Sequence, residues 1–300
     1  MPRSGGPWNA EAFAAEYAQE IRAKNYPAVK ALLAEVSESN YQLRDMWQVP
    51  RTVSVSSSDC AKFRRPGGKE PKVSFSELST ADALYHFAKS KKAVCGLNFA
   101  NGSPDSIGGG YKKGATAQEE DLCRRIPSLF PSLLAVKETL YPFGPATLKS
   151  IEQPGKYCDV LYTAGLMMAR TGVDGGFAVY PPDEQVEVSI LSAAAPNINF
   201  ASEVDDPELI YNTIKNIFIA PKLVQQEVSV LVLGAWGCGA FGGDPAKIAP
   251  LFAKALVQEN IAQGLYEEVH FAILKVNPED KNYDAFRAAF EQSAIRIHEL

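Results

Sequence analysis

Apolar residues recur along the chain with two different periods. Near the start they keep helical spacing: Phe13, Tyr17 and Ile21 form one stripe, and Val29, Leu32, Leu33 and Val36 a second. Positions three and four apart share one face of a helix, so two amphipathic helices are predicted. Asn9 suits the N-cap of the first, with Trp8 placed to staple onto Phe13. Thr52–Val55 reads as a short strand. The stretch 62–72, rich in Lys, Arg, Gly and Pro, reads as a solvated basic loop and marks an internal boundary.

Beyond it, short apolar runs alternate with amphipathic ones. Helices are predicted over 79–89, over 120–134 with interruptions at Pro127 and Pro131, and from Asp206-Pro207 through Ile210, Ile214 and Ile217. Two more run from Asp244-Pro245 to about residue 258 and over 282–297, the last with Phe286 and Phe290 on one face. Strands are predicted at 93–98, 160–162, 177–180, 186–191, 228–233 and 269–274. Near-continuous apolar strands alternating with helices imply an α/β protein whose sheet is covered on both faces.

Composition narrows the function. A net charge of −5 argues against broad binding to nucleic acid, which needs a basic face. It leaves room for an anionic small ligand held by backbone amides. The five cysteines, Cys60, Cys95, Cys123, Cys158 and Cys238, are scattered and form no C-x-x-C, and the three histidines stand in separate segments. Neither a disulfide framework nor a metal site is expected. The opening residues do not read as a signal peptide, and no stretch is long and apolar enough to span a bilayer. An intracellular protein, cytoplasmic or nuclear, without membrane contact is expected.

Two predicted strands end in unusual glycine-rich turns. The turn after 228–233 reads GAWGCGAFGGDP and contains Gly237, Cys238, Gly239, Ala240, Phe241 and Gly242, a G-x-G-x-x-G pattern between a strand and a helix. A nicotinamide-dinucleotide enzyme is therefore one reading. Against it, only 58 residues follow Gly242, and the segment 269–274 ends in Lys275 where an acidic ribose ligand is needed. The physical content of the pattern survives, because unencumbered N–H groups in such a turn form an anion nest. The turn after 93–98 carries Gly108, Gly109 and Gly110, then seven residues, then Gln118-Glu119-Glu120. Adjacent glycines let a backbone approach a ligand closely. Thr116-Ala117-Gln118-Glu119 also fits a capping box, which would give Glu119 a purely structural task and leave Glu120 unexplained. Cys238, between glycines with no histidine in a motif that reaches it, reads as a small filler and not as a nucleophile.

The string GGGYKKGATAQEE resembles the signature of poly(ADP-ribose) glycohydrolases, whose catalytic domain is a macrodomain. LNFANG, QEEDLCRR, SAAAPN (192–197) and GAWGCGAFGGDP, in that order, are similar to the microbial-type branch of the family. The resemblance covers roughly residues 90–275. It implies a three-layer α/β/α macrodomain with a mixed central sheet over 76–300, preceded by an N-terminal helical extension (1–75) packing on the core.

By that resemblance Glu120 is the catalytic acid/base and Glu119 orients the ribose hydroxyls beside the scissile bond. Gln118 supports the loop and the distal ribose, while Gly108, Gly109 and Gly110 wrap the diphosphate and that ribose. Asn98 and Asn101 stand where macrodomains place a loop asparagine. Gly237, Cys238, Gly239, Ala240 and Phe241 form the diphosphate loop, with Phe241 packing on the ligand. The implied reaction is hydrolysis of ribose–ribose O-glycosidic bonds in poly(ADP-ribose), releasing ADP-ribose, without cofactor or metal. The implied partners are poly(ADP-ribose) or ADP-ribosylated proteins, with no nucleic acid and a monomeric enzyme. The pattern departs from the family where Ser106-Ile107 replace the usual Asn-Pro. An ADP-ribose reader or a mono-ADP-ribosyl hydrolase stays open as the alternative.

Overall fold

The computed structural model describes residues 8–150, 153–199, 206–275, 277–293 and 295–300, the side chains of Lys149 and Ser150 excepted. The opening residues read above for a signal peptide lie outside this range.

Eight strands form one sheet: β1 (Thr52–Val55), β2 (Lys72–Ser76), β3 (Val94–Ala100), β4 (Val160–Met168), β5 (Val186–Ala194), β6 (Val230–Leu233), β7 (Glu268–Ala272) and β8 (Ile297–Glu299). Their order is β1-β4-β5-β3-β6-β7-β2-β8. The pairs from β5 through β8 are parallel, while β4 runs antiparallel to both β1 and β5, so the sheet is mixed.

β3 lies at the centre and shows why the molecule has three layers. Successive side chains of a strand point to opposite faces. Cys95 and Leu97 enter a core beneath the helices Pro207–Val224, Pro245–Ala253 and Asn282–Gln292. Val94 and Ala100 enter a second core beneath Thr80–Lys89, Gln118–Arg125 and Leu129–Leu134. Asn98 shares the second face, the one on which the Gln118–Arg125 helix lies. The helices Ala10–Arg22 and Tyr26–Gln42 build a third, smaller cluster around Phe13, Val29, Leu32, Leu33, Val36 and Phe177. Asn9 caps the first of them through Ala12 N–H, and the Trp8 and Phe13 rings lie 5.3 Å apart, which is the staple the sequence offers. Ile21 does not join the stripe and stays exposed. No helix among the described residues is long and apolar enough to cross a membrane.

Several elements differ from expectation. β2 and the short helix Ser57–Lys62 stand at the two ends of what reads as a basic loop. β1 and β2 both belong to the sheet, so the helical segment before it comprises residues 10–42. The last helix stops at Gln292, and Ile297 opens β8 instead. Residues 177–180 form no strand: Phe177 lies in a turn at φ 50°, and Val179 makes a single bridge to Arg170. The predicted helix over 120–134 is two helices that meet around Pro127.

β2 hides in the sequence because its inward residues include serines. Ser74 and Ser76 bracket the fully buried His270 of β7 at 2.8 Å from Nδ1 and 2.9 Å from Nε2. The Ser74 hydroxyl donates to Glu268. A neutral imidazole satisfies this arrangement, with Nδ1–H donating to Ser74 and Nε2 accepting from Ser76. Burial pushes the His270 pKa down to about 4, with Lys72 and His86 adding to the effect and Glu268 opposing it. The unfolded chain binds this proton near pH ~6.5. The stabilising contribution of His270 is therefore complete above that pH and is lost as pH falls towards 4. The stability deficit of His270→Gln relative to wild type, measured by urea unfolding across pH, is expected to shrink over this window. A constant deficit would show that the ring is not held neutral.

Candidate active site

The C-terminal ends of β5, β3 and β6 lie side by side, with Asn98 opposite Ser192, Ala100 opposite Ala194 and Gly96 opposite Val232. Loops 101–117, 195–199 and 234–244 leave from this edge, the usual ligand position in an open α/β sheet. They are stitched together. Trp236, buried beneath its loop, donates Nε1–H to the Ala193 carbonyl at 2.9 Å. Ile198 N–H donates to the Phe241 carbonyl at 3.0 Å, and Asn199 Nδ2 to the Ala240 carbonyl at 2.8 Å. On the other side, Phe143 N–H donates to the Gly102 carbonyl at 3.1 Å. The two glycine-rich turns thus leave neighbouring strands at one edge of the sheet, Gly102 lying against Ala194 and Gly237 against Ala195.

The Gln118–Arg125 helix does not begin with a capping box. Its N-cap is Ala117, without a side-chain cap, and Thr116 points into solvent. Gln118 latches the helix to the end of β3 instead. Its Nε2 donates to the Leu97 carbonyl (2.7 Å) and Thr80 Oγ1 (3.0 Å), while its Oε1 accepts from Phe99 N–H (2.9 Å).

This latch sets the next two residues against the strand end, where both are buried: Glu119 is 4% and Glu120 6% exposed. Glu119 Oε1 accepts from Asn98 Nδ2 at 3.1 Å and Oε2 from Asn101 N–H at 3.2 Å. Burial raises its pKa to about 8, against the pull of those two donors and with a smaller push from Glu120. Glu119 is therefore largely neutral at neutral pH. Glu120 Oε1 accepts from Gly110 N–H at 2.7 Å, and its Oε2 is buried with no hydrogen-bond partner. Asn98 Oδ1 and the Tyr141 hydroxyl are likewise buried and unpartnered.

The glycine run now has a physical reason. Gly109 sits at φ 58°, and a Cβ there would collide with Glu120 Oε1 and lie 3.4 Å from Glu119 Oε2. A Cβ on Gly110 would lie 2.6 Å from that of Ala115. The loop backbone rests directly on the paired carboxyl groups, which no chain bearing side chains at these positions can do. Ser106 closes the turn, its carbonyl accepting from Gly109 N–H at 2.9 Å, and Ile107 is buried in the core.

Asn98 is fully buried and gives its amide to Glu119 and, at 3.0 Å, to Ser192 Oγ. Asn101 serves Glu119 through its backbone, and its side-chain oxygen accepts from Ser103 N–H at 3.0 Å. In the turn after β6, Gly239 and Ala240 are exposed, while Cys238 and Phe241 are half-buried against the core. The following helix is capped by Asp244, which accepts from Ala246 N–H at 2.9 Å. Burial, then Asp244, pushes the Cys238 thiol up to about 12, which removes it as a nucleophile at neutral pH. Ser192, bonded to Asn98, opens the SAAAPN string, whereas no motif announces Tyr141.

A model of the family described as microbial-type PARG, catalytic domain, matches residues 19–171, just over half of the chain and including most of the N-terminal helices. No curated protein matches the chain. Among solved structures, poly(ADP-ribose) glycohydrolase from Thermomonospora curvata is similar at TM-score 0.71 and 24% identity, covering 86% of this chain and 99% of its own. The same enzyme bound to the inhibitor ADP-HPD gives TM-score 0.70 and 23% identity over 86% and 99% of the two chains. The Deinococcus radiodurans poly(ADP-ribose) glycohydrolase in complex with ADP-ribose gives TM-score 0.65 and 27% identity over 81% and 95%. With the glycine run, the paired glutamates and the mixed three-layer fold in place, the chain belongs to the microbial-type poly(ADP-ribose) glycohydrolases, enzymes that hydrolyse the glycosidic bonds of poly(ADP-ribose).

Proposed function

We propose that this chain releases ADP-ribose from poly(ADP-ribose), with Glu120 as general acid and then general base and Glu119 as the group that orients the ribose hydroxyls. The observation that carries the assignment is the unequal bonding of the Glu120 carboxyl. One oxygen is fixed by Gly110 N–H at 2.7 Å and the other is unpartnered. A group that must pass a proton needs one such oxygen and a fixed direction for it. Glu119 has both oxygens engaged by protein donors, which fix its orientation and suit it to holding the ribose hydroxyls.

Glu120 gives its proton to the departing ribose oxygen as the C–O bond to the terminal sugar breaks and positive charge spreads over that ring. Water then attacks the sugar carbon and returns its proton to the Glu120 carboxylate. The product is ADP-ribose and a chain shorter by one unit. Glu119, neutral before substrate arrives, can donate to one ribose hydroxyl. The 237–241 loop, with Gly239 and Ala240 exposed, offers main-chain donors to the diphosphate, as suits an acidic chain. Holding the diphosphate fixes the sugar relative to Glu120, and such positioning supplies much of the rate. The D. radiodurans neighbour, in complex with ADP-ribose, supports that ligand for this site.

The test has three arms: poly(ADP-ribose), a protein carrying single ADP-ribosyl groups, and free ADP-ribose in a calorimetric titration. Release of ADP-ribose from the polymer is expected together with saturable ADP-ribose binding. Binding without cleavage of the polymer would overturn hydrolysis and leave a reader. Cleavage of the single modification alone would overturn the choice of substrate.

A further inference from the structure

Between the N-terminal helices and the catalytic loop lies a buried polar cluster that the proposed chemistry does not use. Its hub is Asn40, 4% exposed, on the last turn of the Tyr26–Gln42 helix. The Asn40 amide donates to the Tyr111 hydroxyl at 2.9 Å, to the Arg124 carbonyl at 3.0 Å and to the Cys123 carbonyl at 3.3 Å. Its oxygen accepts from Arg170 Nε at 2.7 Å. Arg170, fully buried, also donates to Ser39 Oγ at 2.7 Å and to the Phe177 carbonyl at 2.8 Å, and so fixes the side chain of the hub.

All three acceptors of the Asn40 amide lead to Glu120. Tyr111 follows Gly110, whose N–H is the donor on Glu120 Oε1. Cys123 and Arg124 lie three and four residues after Glu120 on its own helix, and their carbonyls belong to the final turn, where no partner exists within the helix. One side chain therefore ties the loop that grips Glu120 to the helix that carries it. Further contacts repeat the clamp. Arg124 donates to the Leu33 carbonyl and to the Ala115 carbonyl. Gly114 meets the Lys30 carbonyl so closely that a Cβ would not fit.

We infer that Asn40 is a positioning residue for Glu120, and that the N-terminal helices are part of the catalytic unit because they deliver it. The inference rests on the acid/base role proposed for Glu120. Tyr111→Phe removes only the hydroxyl that Asn40 grips. Asn40→Asp keeps the acceptor for Arg170 but sets a carboxylate against the Cys123 and Arg124 carbonyls. In each variant kcat on poly(ADP-ribose) is expected to fall about 10-fold or more, since small displacements of a reacting group are costly. The ADP-ribose Kd should stay within about twofold, because the phosphate loop is untouched. The double variant should be no slower than the slower single one, as residues acting through one contact are not additive.

Hydrogen exchange at the Gly110 amide provides a readout independent of turnover, and faster exchange is expected in both variants. Wild-type kcat and unchanged Gly110 protection in folded Tyr111→Phe would overturn the inference, as would rate losses that multiply. Should Asn40→Asp not fold, Tyr111→Phe decides alone. A wild-type chain inert on polymer would instead count against the proposed function, and the exchange measurement would still judge the contact.

Discussion

Exchanging Glu120 for glutamine is expected to stop cleavage of poly(ADP-ribose) while ADP-ribose still binds. The amide has the shape of the carboxyl, and its oxygen can go on accepting from Gly110 N–H at the position now 2.7 Å away. What stands in place of the unpartnered oxygen is an NH₂ group, which can neither give an acidic proton to a leaving ribose nor take one from water. General acid–base catalysis is worth about 10²–10⁴-fold, so turnover should drop by at least that range. ADP-ribose release, followed chromatographically, and a calorimetric titration of ADP-ribose read the two properties separately. Turnover near wild type would move the proton transfer to another group. Lost affinity with a proportionate loss of turnover would make Glu120 a binding residue.

Gly109→Ala should cost nearly as much without changing any ionisable group. The residue has φ 58°, where a Cβ strains the backbone by about 1–2 kcal/mol. That Cβ would collide with Glu120 Oε1 and lie 3.0 Å from the carboxyl carbon. The carboxyl must swing off Gly110 N–H or the loop must lift, and either displaces the proton donor by a fraction of an ångström to an ångström. Displacements of that size cost about 10²-fold in rate. The expected outcome is a folded protein with a lower Tm and a kcat reduced by about that factor. Gly155→Ala, at a site where a Cβ meets nothing within 4 Å, should leave Tm nearly unchanged. Combined with Glu120→Gln, the alanine should add little further loss, because its damage passes through the same carboxyl group. A Gly109→Ala enzyme with wild-type kcat would show that the loop does not rest on the carboxylates in solution.

Much of this was visible in the sequence where local spacing carries the signal. β3 and β6 read as buried strands because their residues are apolar on both faces. The proline-led helix after Asp244 and the staple of Trp8 on Phe13 were equally legible. The ordered motifs pointed to the family and its fold. β2 was missed because Ser74 and Ser76 face the interior, where His270 and not solvent satisfies them. β8 is three residues long at the sheet edge, too short to set a period of its own. Thr116 misled because a capping box is defined by residue types, whereas this helix start is held by Gln118 reaching back to β3. The glycine run and the paired glutamates announced themselves, but the groups that support them did not. Asn40 meets Tyr111 across 71 residues of chain and Arg170 across 130, separations at which no spacing rule operates.

The Gln118 latch has a consequence for how this scaffold can be re-purposed. With both ends of its amide spent on β3, the acid-bearing helix and the central strand form one rigid jaw. The opposite jaw ends in the solvent-facing pair Gly239 and Ala240. Under the roles proposed above, reactivity and recognition are housed in separate pieces of chain. Libraries that vary the second piece could retune which nucleotide-sugar is accepted without disturbing the proton donor, whereas diversity placed around position 118 would forfeit turnover before selectivity could change.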